Sequence, residues 1–238
     1  MIEPQPAATV IVARDGSSGL EVFMLKRSAR SAFMPHAYVF PGGRVDAIDR
    51  SPSARERIDG ETPAVDPSFV FAAARETFEE AGVLLASKAL EPATLRQARA
   101  QLLAGERTFE QILDDLDTGI AAEALNYFSR WITPPVVEVR RFDARFFVAR
   151  MPADQVAEAD SFETSDGLWV RPRDALDASA RDEFAIVYPT IKHLARIASF
   201  ETVDALVAFA RAKAIVTVTP HVTDGTIFSL PPGVENAW

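Results

Sequence analysis

The chain contains no cysteine. That absence excludes disulfides, thiolate nucleophiles and zinc–thiolate centres together. It leaves carboxylates and three histidines, His36, His193 and His221, as the side chains able to ligate a metal or move a proton. No apolar run approaches the ~18 residues needed to cross a bilayer. Met1-Ile2-Glu3-Pro4 lacks the basic stretch and apolar core of a secretory leader, so a cytoplasmic protein with no membrane partner is expected. Positive charge is also short: 25 Lys and Arg stand against 34 Asp and Glu, a net charge of −9. Nucleic-acid binders neutralise phosphates with Lys and Arg, so no nucleic-acid partner is expected. An anionic substrate would depend on metal ions and local arginines, because the global field repels it. There is no internal repeat and no low-complexity linker, and 238 residues at 48% hydrophobic and 25% charged suit one sizeable core.

What the chain does have is acid concentrated in one place. Residues 69–82 read Phe-Val-Phe-Ala-Ala-Ala-Arg-Glu-Thr-Phe-Glu-Glu-Ala-Gly. On a helix, Glu76, Glu79 and Glu80 fall at i, i+3 and i+4 and share a face. Phe71, Ala74, Phe78 and Ala81 form an apolar stripe on roughly the opposite side. Each like-charge neighbour costs on the order of 0.2–0.5 kcal/mol on an isolated helix, so something positive belongs among the acids. Mg²⁺ takes oxygen ligands and keeps several waters, which suits a short acidic face meeting phosphates. Arg75, one position before the first acid, can neutralise or orient a carboxylate. A solvated acidic patch is the alternative reading of a Glu-rich helix. Asp66-Pro67 supplies an N-cap with proline at N1.

Either side of this helix, residues 7–14 and 21–26 read as two strands of a hairpin across the turn cluster 15–19. Residues 37–40 run as a strand into Pro41-Gly42-Gly43, where glycine lets the backbone approach a ligand or turn sharply. Residues 44–67 are polar and expected to be exposed, with a short helix, serving either substrate recognition or decoration. Residues 83–86 are expected as a short strand. Residues 90–103 and 108–116 are expected as two helices, 126–132 and 145–151 as central strands, and 187–200 and 202–212 as amphipathic helices. Arg140, Arg141 and Arg145 lie close together in sequence. Guanidinium groups bind phosphate in a bidentate way, a surface ion-pair network being the alternative.

The string Arg75-Glu76-Thr77-Phe78-Glu79-Glu80-Ala81-Gly82-Val83, with Pro41-Gly42-Gly43 upstream, resembles the signature of the Nudix hydrolases. These are metal-dependent enzymes that cleave nucleoside diphosphates linked to another moiety. The second half of the signature is complete. The first half is interrupted: the family usually places five residues between the glycine and a glutamate and seven more before the arginine, whereas Gly43 and Arg75 are 32 positions apart. Asp59-Gly60-Glu61-Thr62 resembles the displaced middle. Phe40-Pro41-Gly42-Gly43-Arg44-Val45-Asp46, and Phe128-Ser129-Arg130-Trp131-Ile132-Thr133-Pro134 ahead of Arg141-Phe142-Asp143, resemble the peroxisomal-type CoA diphosphatase branch of the family.

The resemblance implies an α+β fold, an α/β/α sandwich of the Nudix type with a mixed central sheet, flanking helices and an extra helical insert. One domain over 1–238 is expected, with insertions at about 44–66 and 88–122 and C-terminal helices within 187–212. The implied cofactor is Mg²⁺ or Mn²⁺, held by Glu76, Glu79, Glu80 and the carbonyl of Gly42, with Arg75 orienting Glu76. Glu163 is the candidate catalytic base in the loop before a late strand, with Glu158 and Asp166 behind it. Arg27, Arg44, Arg141 and Arg145 are the candidate substrate-binding arginines. The implied reaction is hydrolysis of CoA or acyl-CoA to 3′,5′-ADP and (acyl-)4′-phosphopantetheine. A pyrophosphatase acting on ADP-ribose, NADH or another nucleoside diphosphate derivative stays open, as does a non-catalytic nucleotide sensor. Family members are often homodimers. The close Glu235-Asn236-Ala237-Trp238 is not Ser-Lys-Leu, so no peroxisomal address is expected.

Overall fold

The computed structural model describes residues 2–30, 34–137, 140–160, 164–224, 227–235 and 237–238. In chain order its elements are β1 (Gln5–Gly16), β2 (Gly19–Arg27), β3 (Tyr38–Val39), β4 (Gly42–Arg44), α1 (Pro52–Glu56), β5 (Ile58–Asp59) and α2 (Pro67–Ala81). Then come α3 (Pro92–Leu103), α4 (Phe109–Asp115), β6 (Ile120–Ala121), β7 (Asn126–Ile132), β8 (Phe142–Arg150) and β9 (Thr164–Val170). The chain closes with α5 (Pro172–Ala180), α6 (Tyr188–Ile197), α7 (Val203–Ala212), β10 (Thr217–Val218), β11 (His221–Thr223) and β12 (Ile227–Ser229). Among the described residues, no helix is long and apolar enough to cross a membrane.

An eight-stranded sheet runs β10-β7-β8-β1-β2-β3, with β4 also pairing β1 and β9 pairing β2. It is mixed, because β1 lies parallel to β8 and antiparallel to β2 and β4. Alternate side chains of β1 point to opposite faces, and both faces are covered. Ala8, Val10 and Val12 join a core with α2, α3 and α4, contributed by Phe71, Phe78, Leu95 and Ile112 among others. Ile11 and Ala13 join a second core with Ala175, Leu194 and Leu206 of α5, α6 and α7. This burial on both faces accounts for the nearly unbroken apolar run of β1 and gives the α/β/α sandwich.

Two expectations are corrected. Residues 83–85 form no strand: they are buried, and of residues 83–86 only Ala86 makes a bridge, to Ile120. The backbone of Leu84 is satisfied by a side chain, its N–H donating to Gln155 Oε1 and its carbonyl accepting from Gln155 Nε2, both at 2.9 Å. The segment 44–67 is not exposed throughout. It holds a 3₁₀ turn over Ile48–Arg50 before α1, and Asp49 and Ala54 are buried.

His193 on α6 serves the second core. It is fully buried and stacks on Phe146 at 4.0 Å, with Trp131 and Trp238 alongside. Its Nδ1 lies 2.6 Å from the Pro189 carbonyl, which can only accept, so Nδ1 carries the proton. Nε2 then accepts from the Ser129 hydroxyl at 2.7 Å. Burial lowers the His193 pKa from 6.5 to about 3. Below about pH 6.5 the unfolded chain takes up a proton that the folded chain refuses. The contribution to stability is therefore complete above that pH and is lost as pH falls towards 3, at up to ~1.4 kcal/mol per pH unit. Urea unfolding of wild type and His193→Gln across pH 4–8 should show the difference in stability between them shrinking at that slope below pH 6.5. A difference independent of pH would rule out the neutral buried imidazole.

Candidate active site

α2 is fixed at both ends by its own sequence. The Asp66 carboxylate accepts from the Ser68 N–H at 2.9 Å, and Pro67 opens the helix. At the other end Gly82 adopts φ +69°, and its N–H donates to the Phe78 carbonyl at 3.0 Å. That left-handed geometry is one that glycine enters at little cost. Phe71, Ala74, Phe78 and Ala81 are fully buried beneath. Arg75 and Thr77 are buried as well, so the acidic face borders protein instead of standing open in solvent.

The centre of the site is a buried ion pair. Asp49, whose side chain is 0% exposed, accepts from Arg75 Nε and Nη2 at 2.8 Å each. The Asp49 carboxylate also accepts from the Asp46 N–H at 2.7 Å. Arg75 Nη2 donates to the Arg44 carbonyl at 3.1 Å, and Nη1 reaches Glu76 at 2.9 Å and Glu79 at 3.4 Å. Burial works against the guanidinium charge, but the bonds to Asp49 and the charges of Glu76, Asp49 and Glu79 outweigh it, so Arg75 titrates above its ordinary value. Burial pushes Glu76 up to about 7, with Arg75 pulling it down and Glu79 repelling it.

Asp49 corrects the reading of the interrupting segment. Five residues separate it from Gly43, the spacing the Nudix signature usually leaves before its glutamate. Asp59 and Glu61, expected as the displaced middle, are exposed. The insertion therefore begins after the first acid, and an aspartate stands in the place of the usual glutamate.

β4 meets the acids from the other side. The Gly42 N–H donates to Glu80 Oε2 at 2.9 Å, and a Cβ at Gly43 would run into the Glu76 carboxylate. Only glycine lets this backbone come so close. Among the described residues no three His, Cys, Asp or Glu side chains are gathered tightly enough to hold an ion as they stand; the Arg75 guanidinium lies between Glu76 and Glu79 instead. The donor set nonetheless suits a hard divalent cation. It is all oxygen, and it includes a buried carboxylate that burial drives towards neutrality in the absence of further positive charge.

The candidate arginines are dispersed. Arg44 lends its carbonyl to Arg75 while its side chain is 61% exposed, 3.9 Å from Asp46. Arg27, half-buried at the end of β2, pairs in register with Thr164, the first described residue after the 161–163 segment. Arg145 lies in register with Ala8, which faces Gly43 on β4, and its guanidinium sits 4.2 Å over the Phe69 ring and pairs with Asp143. Arg141 takes a structural place: it is buried and donates to the carbonyls of Thr133 at 3.1 Å and Ile2 at 2.6 Å. Glu163 lies outside the described residues. Glu158 is exposed, and its N–H donates to the Ala81 carbonyl at the end of α2. Asp166 is exposed on β9. Asp49 and Arg99, the latter in contact with the last turn of α2, were not among the expected residues. The spacing from Gly43 marked the first; nothing local marked the second.

A family model described as the NUDT19 Nudix domain matches residues 5–65 and 53–197. The chain is similar to the acyl-coenzyme A diphosphatase NUDT19 of Xenopus laevis, at 26% identity across 95% of this chain and 74% of that protein. It is likewise similar to the Homo sapiens protein of the same name, at 27% identity across 90% and 72%. Among solved structures it resembles a NUDIX hydrolase from Alicyclobacillus acidocaldarius, with a TM-score of 0.73 and 28% identity over 87% of this chain and 97% of that one.

Asp49→Ala would take the bidentate partner from a buried guanidinium and leave its Nε without that bond, with only Glu76 and Glu79 to answer the charge, a loss of about 3 kcal/mol. Chemical denaturation should report that loss, while Glu61→Ala, on the exposed part of the insertion, stays within about 0.5 kcal/mol of wild type. Equal effects of the two changes would contradict the pairing.

Proposed function

The chain belongs to the NUDT19 Nudix domain family, and on that premise we propose that it hydrolyses the diphosphate of CoA or an acyl-CoA to 3′,5′-ADP and (acyl-)4′-phosphopantetheine. The observation carrying this reading is that proteins named acyl-coenzyme A diphosphatases align over 90–95% of the chain, well beyond the acidic helix that all diphosphate cleavage in the family would share. Two cores on opposite faces of one sheet support a single catalytic domain over 1–238.

Glu76, Glu79, Glu80 and the carbonyl of Gly42 would hold Mg²⁺ or Mn²⁺. When bound, such a cation neutralises phosphate oxygens and acidifies its water. The protein's own contribution is arrangement. Asp49 fixes Arg75, Arg75 draws Glu76 and Glu79 to one side of the helix, and Gly42 holds Glu80 through its N–H. Water attacks phosphorus, its proton passes to a carboxylate, and the bond to the leaving phosphate breaks. Glu163 or one of the helix acids serves as that base. Arg44, exposed beside the site, would meet substrate phosphate, with Arg27 and Arg145 as further candidates.

Incubation with CoA, an acyl-CoA, ADP-ribose, NADH and a nucleoside triphosphate, each with Mg²⁺ or Mn²⁺ and products resolved by mass, should show preference for the CoA species with release of 3′,5′-ADP. Preference for ADP-ribose or NADH would discard the CoA reading and keep the chemistry. Glu79→Gln and Glu80→Gln should each lower turnover by at least about a hundredfold with unchanged circular dichroism. Full activity in both would remove the metal assignment.

A further inference from the structure

We infer that Arg99, on α3 of the helical insert, is a positioning residue that holds Glu79 and Glu80 in place for the metal, an inference that rests on the metal assignment proposed above. Its Nε donates to the Glu79 carbonyl at 3.1 Å, and its Nη2 donates to the carbonyls of Glu79 and Glu80 at 2.9 Å each. These carbonyls belong to the last turn of α2, where no further helical N–H is available to them. The neighbouring carbonyls are satisfied separately, Phe78 by the Gly82 N–H and Ala81 by the Glu158 N–H. Arg99 thus completes the cap at the two residues whose side chains would ligate.

The surroundings are shaped to receive it. A Cβ at Gly82 would press on the Arg99 guanidinium at 2.9 Å, so glycine there serves both the left-handed turn and the arginine. Burial lowers the Arg99 pKa, and Asp160, Glu158 and Glu80 oppose that with their charges. The guanidinium therefore joins three parts of the chain: the insert, the end of α2, and the 158–160 segment that leads towards Glu163. Its planar fork reaches two successive carbonyls, which a lysine ammonium cannot match. Fraying of this turn would release Glu79 and Glu80 from the ~100° per residue winding that sets them on one face with Glu76, which Arg75 holds one turn earlier.

The test is direct Mn²⁺ binding without nucleotide, read from the electron paramagnetic resonance signal of free Mn²⁺, on wild type, Arg99→Ala, Arg99→Lys and Glu79→Gln, with thermal unfolding followed in parallel. Arg99→Ala should weaken Mn²⁺ affinity by about 10–100-fold while unfolding cooperatively, and added methylguanidinium should restore part of it. Arg99→Lys should recover only part. Arg99→Ala binding Mn²⁺ as wild type does would overturn the inference; should that variant fail to fold, wild-type affinity in Arg99→Lys would overturn it equally. Wild type that binds no Mn²⁺, or Glu79→Gln that binds it undiminished, would overturn the metal assignment and this inference with it, an outcome distinct from a neutral Arg99.

Discussion

The arrangement of the site depends on the buried pair between Asp49 and Arg75. A guanidinium taken out of water is tolerated only when its donors are engaged and its charge is answered, and Arg75 meets both conditions through Asp49, Glu76, Glu79 and the Arg44 carbonyl. One side chain thereby joins the 3₁₀ turn at Ile48–Arg50, the end of β4 and the acidic face of α2. The acids need it as much as it needs them. Two like charges about 4 Å apart repel by ~4 kcal/mol at the effective dielectric near a protein surface, enough to neutralise one carboxylate. Even with Arg75 present, burial leaves Glu76 titrating near 7. The proposed divalent cation would supply the positive charge that keeps such a buried carboxylate ionised.

What could be read from the sequence was what local chemistry decides. The period of Phe71, Ala74, Phe78 and Ala81, the cap at Asp66-Pro67 and the stop at Gly82 act within a few residues of themselves, so α2 was legible nearly to its ends. The same holds for β7 and for α4, whose Thr108 and Gln111 form a reciprocal cap. Partners fixed by tertiary approach were less legible. Asp49 pairs with an arginine 26 residues away, and with the usual seven-residue spacing broken, only its distance from Gly43 marked it. Residues 83–85 read the same as strand or as buried chain outside a sheet until the Gln155 amide, 71 positions on from Leu84, takes the ladder's place. Arg141 sits among arginines that suit phosphate equally well; the Ile2 and Thr133 carbonyls that engage it are assembled only by the fold.

The interruption of the signature becomes intelligible once the two insertions are taken together. Lengthening a loop is cheap, about 0.6 kcal/mol per doubling, but a long polar segment beside a site must still be held. The 44–66 segment is held by the helical insert: Ser51 Oγ donates to Glu110 at 3.0 Å, Arg57 makes a bidentate bond to Asp114 at 2.9 and 2.6 Å, and β5 pairs with β6. These contacts are partly exposed, and individually each is worth little. Together with the buried Ala54 and Ile112 they close the segment onto a scaffold. The 44–66 segment and the helical insert then both reach α2, the first through Asp49 at Arg75 and the second through Arg99 at the last turn. A helix bearing three clustered acids is thus gripped at two points by arginine bonds, the middle by its own guanidinium and the end by one supplied from the insert. Loss of the Arg99 bonds alone should for that reason be felt first at Glu79 and Glu80, while Glu76, secured through Arg75 and Asp49, keeps its place.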